Sequence, residues 1–542
     1  MFPRPLTYPP GWLWLCGLLA GAMLALRPAL PIDETRYLAV GWEMWWRESW
    51  AVPYLNGRYY DGKPPLLFWL MHAGWAMFGV NEWWPRLLPA MFGAGQLALT
   101  AAIARRLWPQ QAPVAELAPW LLLGSLLWAW FCSALMFDTM LGFFALASVL
   151  ALLRAAQDRN ARAYVWAGVA LGLGVLAKGP VVFLPALFTV VGARWWSCGA
   201  VGGRRWYLGA LAAAGVALLV ALTWLVPMAL ASDAEYLRDM TLRQTLGYTV
   251  NSFSHQRPLW WYLPLLPLVL FPWSVWPGAW RALARLRAIA PDPGVRLCVL
   301  WAVGTLAIFS LISGKQAHYL LLGFPALALL LARGLHAAQR AADASAALPA
   351  LVCFAGAAAL FALALGAGPV AAAPGSAVLA AGPIGWAGAG LAGIGAVVLA
   401  ARRAPPARQA RLLAACTCAA ILLGAWAITR ATWPAYDVRP MSERLAQLEA
   451  AGAPLAIVGA YHGQYHFHGR LRQPIALLDR AAVPAWVRAH PGGYVLAYYR
   501  GRRRLWTGPA APDFQSRYRS GTMALWRAAQ LAADPRMVEN MP

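Results

Sequence analysis

The sequence predicts an α-helical polytopic membrane protein with about thirteen transmembrane helices. It adds juxtamembrane helices and a small α/β domain on the non-cytoplasmic side. Three observations carry this. The 542 residues are 61% hydrophobic and only 12% charged, half the roughly 25% charge of soluble domains, and the mean hydropathy is +0.52. Apolar runs of about 20 residues, enough to cross a bilayer as a helix, recur along the chain. After residue 430 the composition turns polar and short β-like runs begin.

The candidate spans are 11–30, 84–104, 112–131, 137–153, 161–177, 179–195, 206–230, 259–280, 295–313, 318–337, 347–366, 381–401 and 411–429. The N-terminal run has no small-residue cleavage site and reads as a retained first span. The stretch 64–80 is apolar but short and rich in Trp, Phe and Met, so it reads as an interfacial helix. Orientation supports that choice. With the N-terminus inside, the inner loops hold Arg4; Arg105 and Arg106; Arg154, Arg159 and Arg162; Arg194, Arg204 and Arg205; Arg281, Arg285 and Arg287; Arg333 and Arg340; and Arg402, Arg403, Arg408 and Arg411. Every inner loop is basic, as the positive-inside rule requires, and counting 64–80 as a span would invert the later loops. The net charge of +24 is thus spread over membrane-facing loops, which excludes a nucleic-acid-binding reading.

An odd number of spans puts residues 431–542 outside, where Leu455–Val458, Tyr494–Tyr499 and Thr522–Trp526 read as strands and Pro440–Ala450 as a helix. His462, His466 and His468 in this domain read as surface or loop histidines, since no carboxylate or thiol follows at ligand spacing. The seven Cys lie nearly all in apolar runs and read as small packing residues. The 31 Trp are assigned mostly to interfacial belts, and Trp42–Trp50 to the lip of a lipid groove.

By the same bookkeeping, the unusual polar residues collect on the outer face. The first outer loop reads Pro31-Ile-Asp-Glu-Thr-Arg-Tyr37 and then Asn56-Gly-Arg-Tyr-Tyr-Asp-Gly-Lys-Pro-Pro65. Asp138 opens the fourth span and Lys178 closes the fifth. The loop 231–257 carries Asp233, Glu235, Arg243, His255 and Arg257, and Ser313-Gly-Lys-Gln-Ala-His-Tyr319 joins spans nine and ten. Of 45 Lys plus Arg, only Lys63, Lys178 and Lys315 are Lys, and all three fall at the outer boundary. A compact ammonium suits phosphate, although snorkelling anchors are the alternative. Asp33 and Glu34 can act chemically or merely cap a helix. An outer carboxylate, outer cations and a Trp-rich shelf together suggest chemistry on a lipid-linked phosphate.

These motifs resemble a known family. Pro31–Tyr37, Tyr60-Asp-Gly-Lys-Pro-Pro-Leu66, Leu176-Ala-Lys-Gly-Pro180, His255 before Trp260-Trp-Tyr-Leu-Pro264, Phe271-Pro-Trp-Ser274, Lys315–Tyr319 and Phe324-Pro-Ala326 are similar to those of lipid A 4-amino-4-deoxy-L-arabinose transferases. These are GT-C glycosyltransferases related to protein O-mannosyltransferases. The resemblance covers most of residues 1–340 in order, and beyond them only the layout. It implies transfer of a sugar from undecaprenyl phosphate to lipid A phosphate in lipopolysaccharide, at the periplasmic face of a bacterial inner membrane, a modification linked to polymyxin resistance.

The candidate catalytic residues are Asp33, Glu34 and Asp138. The candidate donor- and phosphate-binding residues are Arg36, Tyr60, Lys63, Lys178, Arg257, Lys315, His318 and Tyr319. The family commonly places Glu, a proposed metal ligand beside the histidine matching His255, just before Lys-Pro-Pro. Here that position is Gly62, with Asp61 one residue earlier, so His255 alone represents an implied divalent metal such as zinc. The family's Leu-Pro before His-Tyr is replaced by Gln316-Ala317, which leaves open another sugar, such as glucosamine or a hexose, or a protein acceptor. A transporter or flippase is the reading of a different class. It predicts mid-membrane charges and paired broken helices, whereas these charges gather at one face.

Overall fold

A computed structural model describes residues 10–233, 238, 256–338, 345–365, 383–501, 505–508, 511–539 and 541. Arg4, Glu235, Arg243, His255 and Arg340 lie outside the described residues. The chain is a multi-pass membrane protein. Among the described residues seven helices are long and apolar enough to cross a bilayer, including Trp83–Leu107, Asp138–Asp158, Arg204–Ala231, Pro293–Leu311 and Ala347–Ala364. Shorter apolar helices stand at Gly11–Leu26, Ala112–Leu123, Pro180–Val191 and Ile384–Ala400.

Where the sequence suggested one continuous span, proline and glycine often divide it. The stretch 112–131 breaks at Gly124-Ser125 into Ala112–Leu123 and Leu126–Phe131. The stretch 259–280 is not a single helix. It runs as short pieces, Leu259–Leu265, Leu266–Val269, Trp273–Val275 and Pro277–Arg285, because Pro264, Pro267, Pro272 and Pro277 each remove a backbone donor. The 13-residue helix Leu66–Phe78 buries Leu67, Phe68, Met71 and Trp75 while Met77 and Phe78 stay exposed, the one-sided packing of an interfacial helix.

These breaks explain the tryptophans better than belts do. Trp42, Trp75, Trp108, Trp128, Trp196, Trp224, Trp273, Trp276 and Trp301 are all buried. Their indole N–H groups donate at joints: Trp273 to Leu121 O (3.0 Å), Trp301 to Leu322 O (2.8 Å), Trp196 to Thr189 O (2.8 Å) and Trp224 to Ala51 O (2.7 Å). A carbonyl freed at a helix break inside an apolar layer needs a donor, and an indole supplies one at the end of a large apolar body. The belt assignment is therefore corrected for these residues. At the opposite side, Asp292 caps Pro293–Leu311 through Gly294 N (2.9 Å) and also binds Trp108 Nε1 (2.9 Å) and Arg333 (3.1 Å).

The C-terminal region is a five-stranded mixed sheet of order β4-β3-β5-β7-β6. Its strands are β3 (Leu455–Val458), β4 (Ala476–Leu478), β5 (Tyr494–Arg500), β6 (Phe514–Tyr518) and β7 (Gly521–Arg527). A separate pair, β1 (Tyr54–Leu55) and β2 (Arg58–Tyr59), forms a hairpin between the helices Asp33–Trp46 and Leu66–Phe78. Strand alternation divides the sheet's two faces. Ile457, Leu496, Met523 and Leu525 pack with Met441, Leu445 and Leu448 of the helix Arg439–Ala450. Ala456, Val458, Val495, Ala497, Ala524 and Trp526 pack with Val483, Val487 and Leu531. The 430/431 boundary falls inside the helix Pro406–Tyr436, which leads directly to this region.

Candidate active site

The loop after Gly11–Leu26 enters through the helix Asp33–Trp46, whose first turn carries Asp33 and Glu34, where the helix dipole favours negative charge. The two acids then part company. The Asp33 side chain is 55% exposed and pairs with Arg36 one turn on. Glu34, 6% exposed, binds Arg27 Nη2 at 2.9 Å and accepts the backbone N–H groups of Leu30 (2.7 Å) and Leu135 (2.6 Å). Both of its oxygens are thus occupied in tying the loop to the bundle. This corrects the catalytic expectation for Glu34: its geometry is that of an anchor.

Asp138 and Lys178 meet because consecutive antiparallel helices bring the start of one to the end of the next. Asp138 opens Asp138–Asp158 and Lys178 closes Arg162–Lys178, each at the terminus its charge prefers. Gly179, at φ +94°, ends the second helix in a conformation glycine adopts readily. The ammonium lies 2.6 Å from Asp138 Oδ1 and 5.6 Å from the Tyr319 ring centroid. His318 Nε2 lies 4.0 Å from the same oxygen, and its ring packs on Tyr319 at 4.9 Å.

Lys63 joins this group, within electrostatic reach of Lys178, Asp138, Arg36 and Asp33. Arg36 in turn lies within reach of Tyr60 and Tyr37. Burial, followed by the neighbouring Lys178, pulls the Lys63 ammonium down to about 8. Among the described residues, Arg36 Nε and Asp138 Oδ2 are buried without a hydrogen-bond partner. Buried polar atoms are ordinarily paired, so one donor and one acceptor left over in a single charged pocket mark a place built for a polar ligand.

The structure therefore brings together Asp33, Arg36, Tyr60, Lys63, Asp138, Lys178, His318 and Tyr319. It directs Lys315 elsewhere. That ammonium donates to the main-chain oxygens of Arg257 (3.0 Å) and Ile312, so it pins a turn instead of facing the pocket. Arg257 is exposed and packs over Trp261, with its backbone N–H on Ser313 O. These two corrections share a cause, since Lys315 and Arg257 are held by the same local backbone bridge, Gln256 to Gly314.

Tyr37 and His462 belong near the pocket, although sequence reasoning gave Tyr37 no role and read His462 as a surface or loop histidine. Tyr37 follows Arg36 in the motif, a signal that was available. His462 carries none, because it comes from the distant C-terminal region. It reaches the pocket through Gly463, which packs against Ala39 and Leu55, one helical turn from Arg36. Burial and then Arg36 push the His462 imidazole below the ordinary histidine range. The neighbouring His466 is not a surface residue either: it is buried and bonded to the Tyr461 hydroxyl at 2.7 Å.

The groove lip is also revised. Trp42 is buried and donates to Leu471 O at 2.9 Å, whereas Trp50 is exposed beside a cleft of about 540 Å³ lined by Arg47, Ser49, Val52, Tyr54 and Ala231.

The described residues offer no metal site. Among the described residues no three His, Cys, Asp or Glu side chains gather at ligand spacing, and His255 lies outside them. A Cβ at Gly62 would meet the Tyr60 ring at 2.5 Å, so a longer acid there would have to displace that ring from the pocket.

Comparison with known proteins gives the architecture a name. The fold superposes on the crystal structure of ArnT from Cupriavidus metallidurans bound to undecaprenyl phosphate, with a TM-score of 0.73, 21% identity, and coverage of 90% of this chain and 92% of that one. The apo structure of the same protein gives 0.73 at 19% identity, covering 96% and 97%. The chain has the GT-C fold of ArnT. Residues 62–228 match the Dolichyl-phosphate-mannose-protein mannosyltransferase family. In sequence, 322 residues are 34% identical to an undecaprenyl phosphate-alpha-4-amino-4-deoxy-L-arabinose arabinosyl transferase of Pseudomonas paraeruginosa, covering 57% of this chain and 56% of that one. An Enterobacter homologue of the same name is 32% identical over 318 residues, 57% and 55% of the two chains. The matched part thus spans little more than half the length of these curated relatives. The resemblance read from the motifs is borne out, and within the GT-C fold the charged pocket is formed by the loop around Asp33–Lys63, by helix ends and by the segment after Pro293–Leu311.

Proposed function

We propose that this chain is a glycosyltransferase of the bacterial inner membrane, with its N-terminus cytoplasmic and its charged pocket and C-terminal sheet region periplasmic. It moves a sugar, 4-amino-4-deoxy-L-arabinose or a related amino sugar, from undecaprenyl phosphate to a lipid A phosphate. The observation that carries the reading is the convergence of Asp33, Arg36, Lys63 and the Asp138–Lys178 pair on one pocket containing an unpaired buried donor and an unpaired buried acceptor. A flippase or transporter gains nothing from such a one-sided constellation.

In this mechanism the acceptor phosphate oxygen attacks the anomeric carbon as the bond to undecaprenyl phosphate breaks, through an oxocarbenium-like transition state. The leaving phosphate gains negative charge, so Arg36 and Lys63 bind it more tightly at the transition state than before. An acceptor phosphate is already an anion and needs no strong base. Asp33 then orients the donor and stabilises the positive charge that develops on the sugar. Tyr60, Lys178, His318 and Tyr319 bound the phosphate and sugar, and Asp138 Oδ2 accepts a hydrogen bond from a sugar hydroxyl or amine.

Gln316-Ala317, in place of the family's Leu-Pro, leaves open a second reading in which the sugar is glucosamine or another hexose. Mass spectrometry of lipid A from cells with and without the chain decides between them. A pentosamine increment on phosphate is expected, a hexosamine or hexose increment supports the second reading, and an unchanged lipid A refutes both.

Lys63 gives this reading a pH signature. A lysine held near 8 carries its charge below that value and loses it as pH rises through it. The kcat/KM for the lipid-phosphate donor is expected to be flat below about pH 7 and to fall above 8, since this ratio reports free-enzyme ionisations. In Lys63→Arg the alkaline fall should vanish, because a guanidinium stays charged. Lys63→Ala should weaken donor use at every pH. A wild-type profile that stays flat past pH 9.5 would remove Lys63 from the donor site.

A further inference from the structure

The proposed donor-phosphate residues Tyr60 and Lys63 follow directly on the hairpin β1–β2. Its two-residue turn is Asn56-Gly57, with φ of +56° and +77°. That is the left-handed pairing of a type I′ turn, for which Asn-Gly is the favoured sequence. Asn56 does more than turn the chain. Its side chain is buried and exchanges two hydrogen bonds with the backbone of Ile475, in the segment leading into β4: Asn56 Nδ2 donates to Ile475 O at 2.9 Å, and Ile475 N donates to Asn56 Oδ1 at 2.8 Å. Gly57 rests on Pro474, and its N–H donates to Glu43 at 2.9 Å. Tyr60 N, just past the hairpin, is bonded to Pro53 O at 2.8 Å.

This is a backbone-like clamp 419 residues apart in sequence. An amide that satisfies both a carbonyl and an N–H fixes position and orientation together, which a single hydrogen bond does not. The hairpin itself is short, and an isolated two-stranded ribbon has little stability of its own. We infer that Asn56 is a positioning residue through which the C-terminal sheet region sets the placement of Lys63 and Tyr60, and hence the affinity for the phosphate of the lipid-linked donor. The C-terminal region is then part of the donor site and not an appended module. Other contacts seat it on the same loop: Trp42 Nε1 on Leu471 O (2.9 Å), Arg470 Nη2 on Val80 O (3.2 Å), and Phe467 stacked on Trp75 at 5.7 Å. Those three contacts seat other parts of the loop, whereas the Asn56 clamp, with Pro474 against Gly57 and Gly463 against Leu55, grips the hairpin that leads into Lys63.

The inference rests on the assignment of Lys63 to the donor phosphate, so the test separates the two. The full chain is purified in detergent and its binding of undecaprenyl phosphate is measured, together with its thermal unfolding. Asn56→Gly keeps the turn, since glycine adopts these φ values freely, and deletes only the clamp. It is expected to weaken binding about tenfold while the folded fraction is maintained. In a Lys63→Ala background the same substitution should cost less than about twofold, because residues acting through one another are non-additive. Asn56→Asp, which keeps the turn and the acceptor for Ile475 N–H but sets a carboxylate oxygen against Ile475 O, should weaken binding at least as much and carries the comparison if the glycine variant does not fold. A wild-type chain that fails to bind undecaprenyl phosphate, or binds it equally as Lys63→Ala, overturns the Lys63 assignment. Binding by wild type that depends on Lys63, with folded Asn56 variants unaffected or fully additive with Lys63→Ala, overturns the inference alone.

Discussion

Replacing Asp33 by Asn is expected to lower sugar transfer by about a hundredfold to a thousandfold, the scale seen when one preorganised electrostatic group is removed from an active site. The substitution keeps the size and hydrogen-bonding shape of the side chain and removes its charge. Asp33 is the half-exposed member of the adjacent acid pair, and its carboxylate is held by Arg36 at the mouth of the pocket. Little of the fold depends on it, so membrane insertion and thermal unfolding should stay close to wild type. Glu34→Gln gives the contrast. Because Glu34 ties Arg27, Leu30 N and Leu135 N together, its loss should lower the unfolding temperature first and activity only through it. Transfer assays on solubilised protein with a synthetic undecaprenyl-phosphate aminoarabinose donor check both. Asp33→Asn activity within about threefold of wild type would remove that carboxylate from the chemistry, since a catalytic charge is worth far more than that.

Breaking the Asp138–Lys178 pair should have the largest effect on the molecule as a whole. Lys178→Met leaves a buried carboxylate without its hydrogen-bonded counter-charge, with one oxygen already lacking a partner among the described residues. Removing one member of a buried pair typically costs about 3–5 kcal/mol, whereas replacing both by apolar residues is often neutral. The expected pattern is loss of folded protein in Lys178→Met, its recovery in the double variant Asp138→Leu with Lys178→Met, and no recovery of transfer in that variant. Thermal unfolding of the solubilised protein, read beside the transfer assay, distinguishes the outcomes. A double variant that regains both would show the pair to be structural only.

How much of this was legible in the sequence differs from residue to residue. Asp33, Arg36, Tyr60 and Lys63 stand in two short motifs on one loop, and Asp138 and Lys178 at the ends of consecutive apolar runs, so sidedness alone groups them. Glu34 could not be separated from Asp33, because adjacent helix positions point about 100° apart and only packing shows which one faces the bundle. Lys315 looked equivalent to Lys63, since composition does not reveal that its ammonium is spent on the main-chain oxygens of Ile312 and the distant Arg257. The Asn-Gly of the hairpin was readable as a turn, but its partner Ile475 was not.

The amino-acid sequence by itself determined where the long apolar runs lie, three of the five strands of the C-terminal sheet and the identities of the charges in the motifs. These follow from local composition, periodicity and charge, which each segment carries with it. Tertiary structure alone decided which acid is exposed, which lysine faces the pocket, and that His462 and the Ile475 backbone come to the first loop. Those outcomes depend on contacts between segments hundreds of residues apart, whose geometry is set by packing and by the pairing of every buried polar group, and no local pattern encodes it.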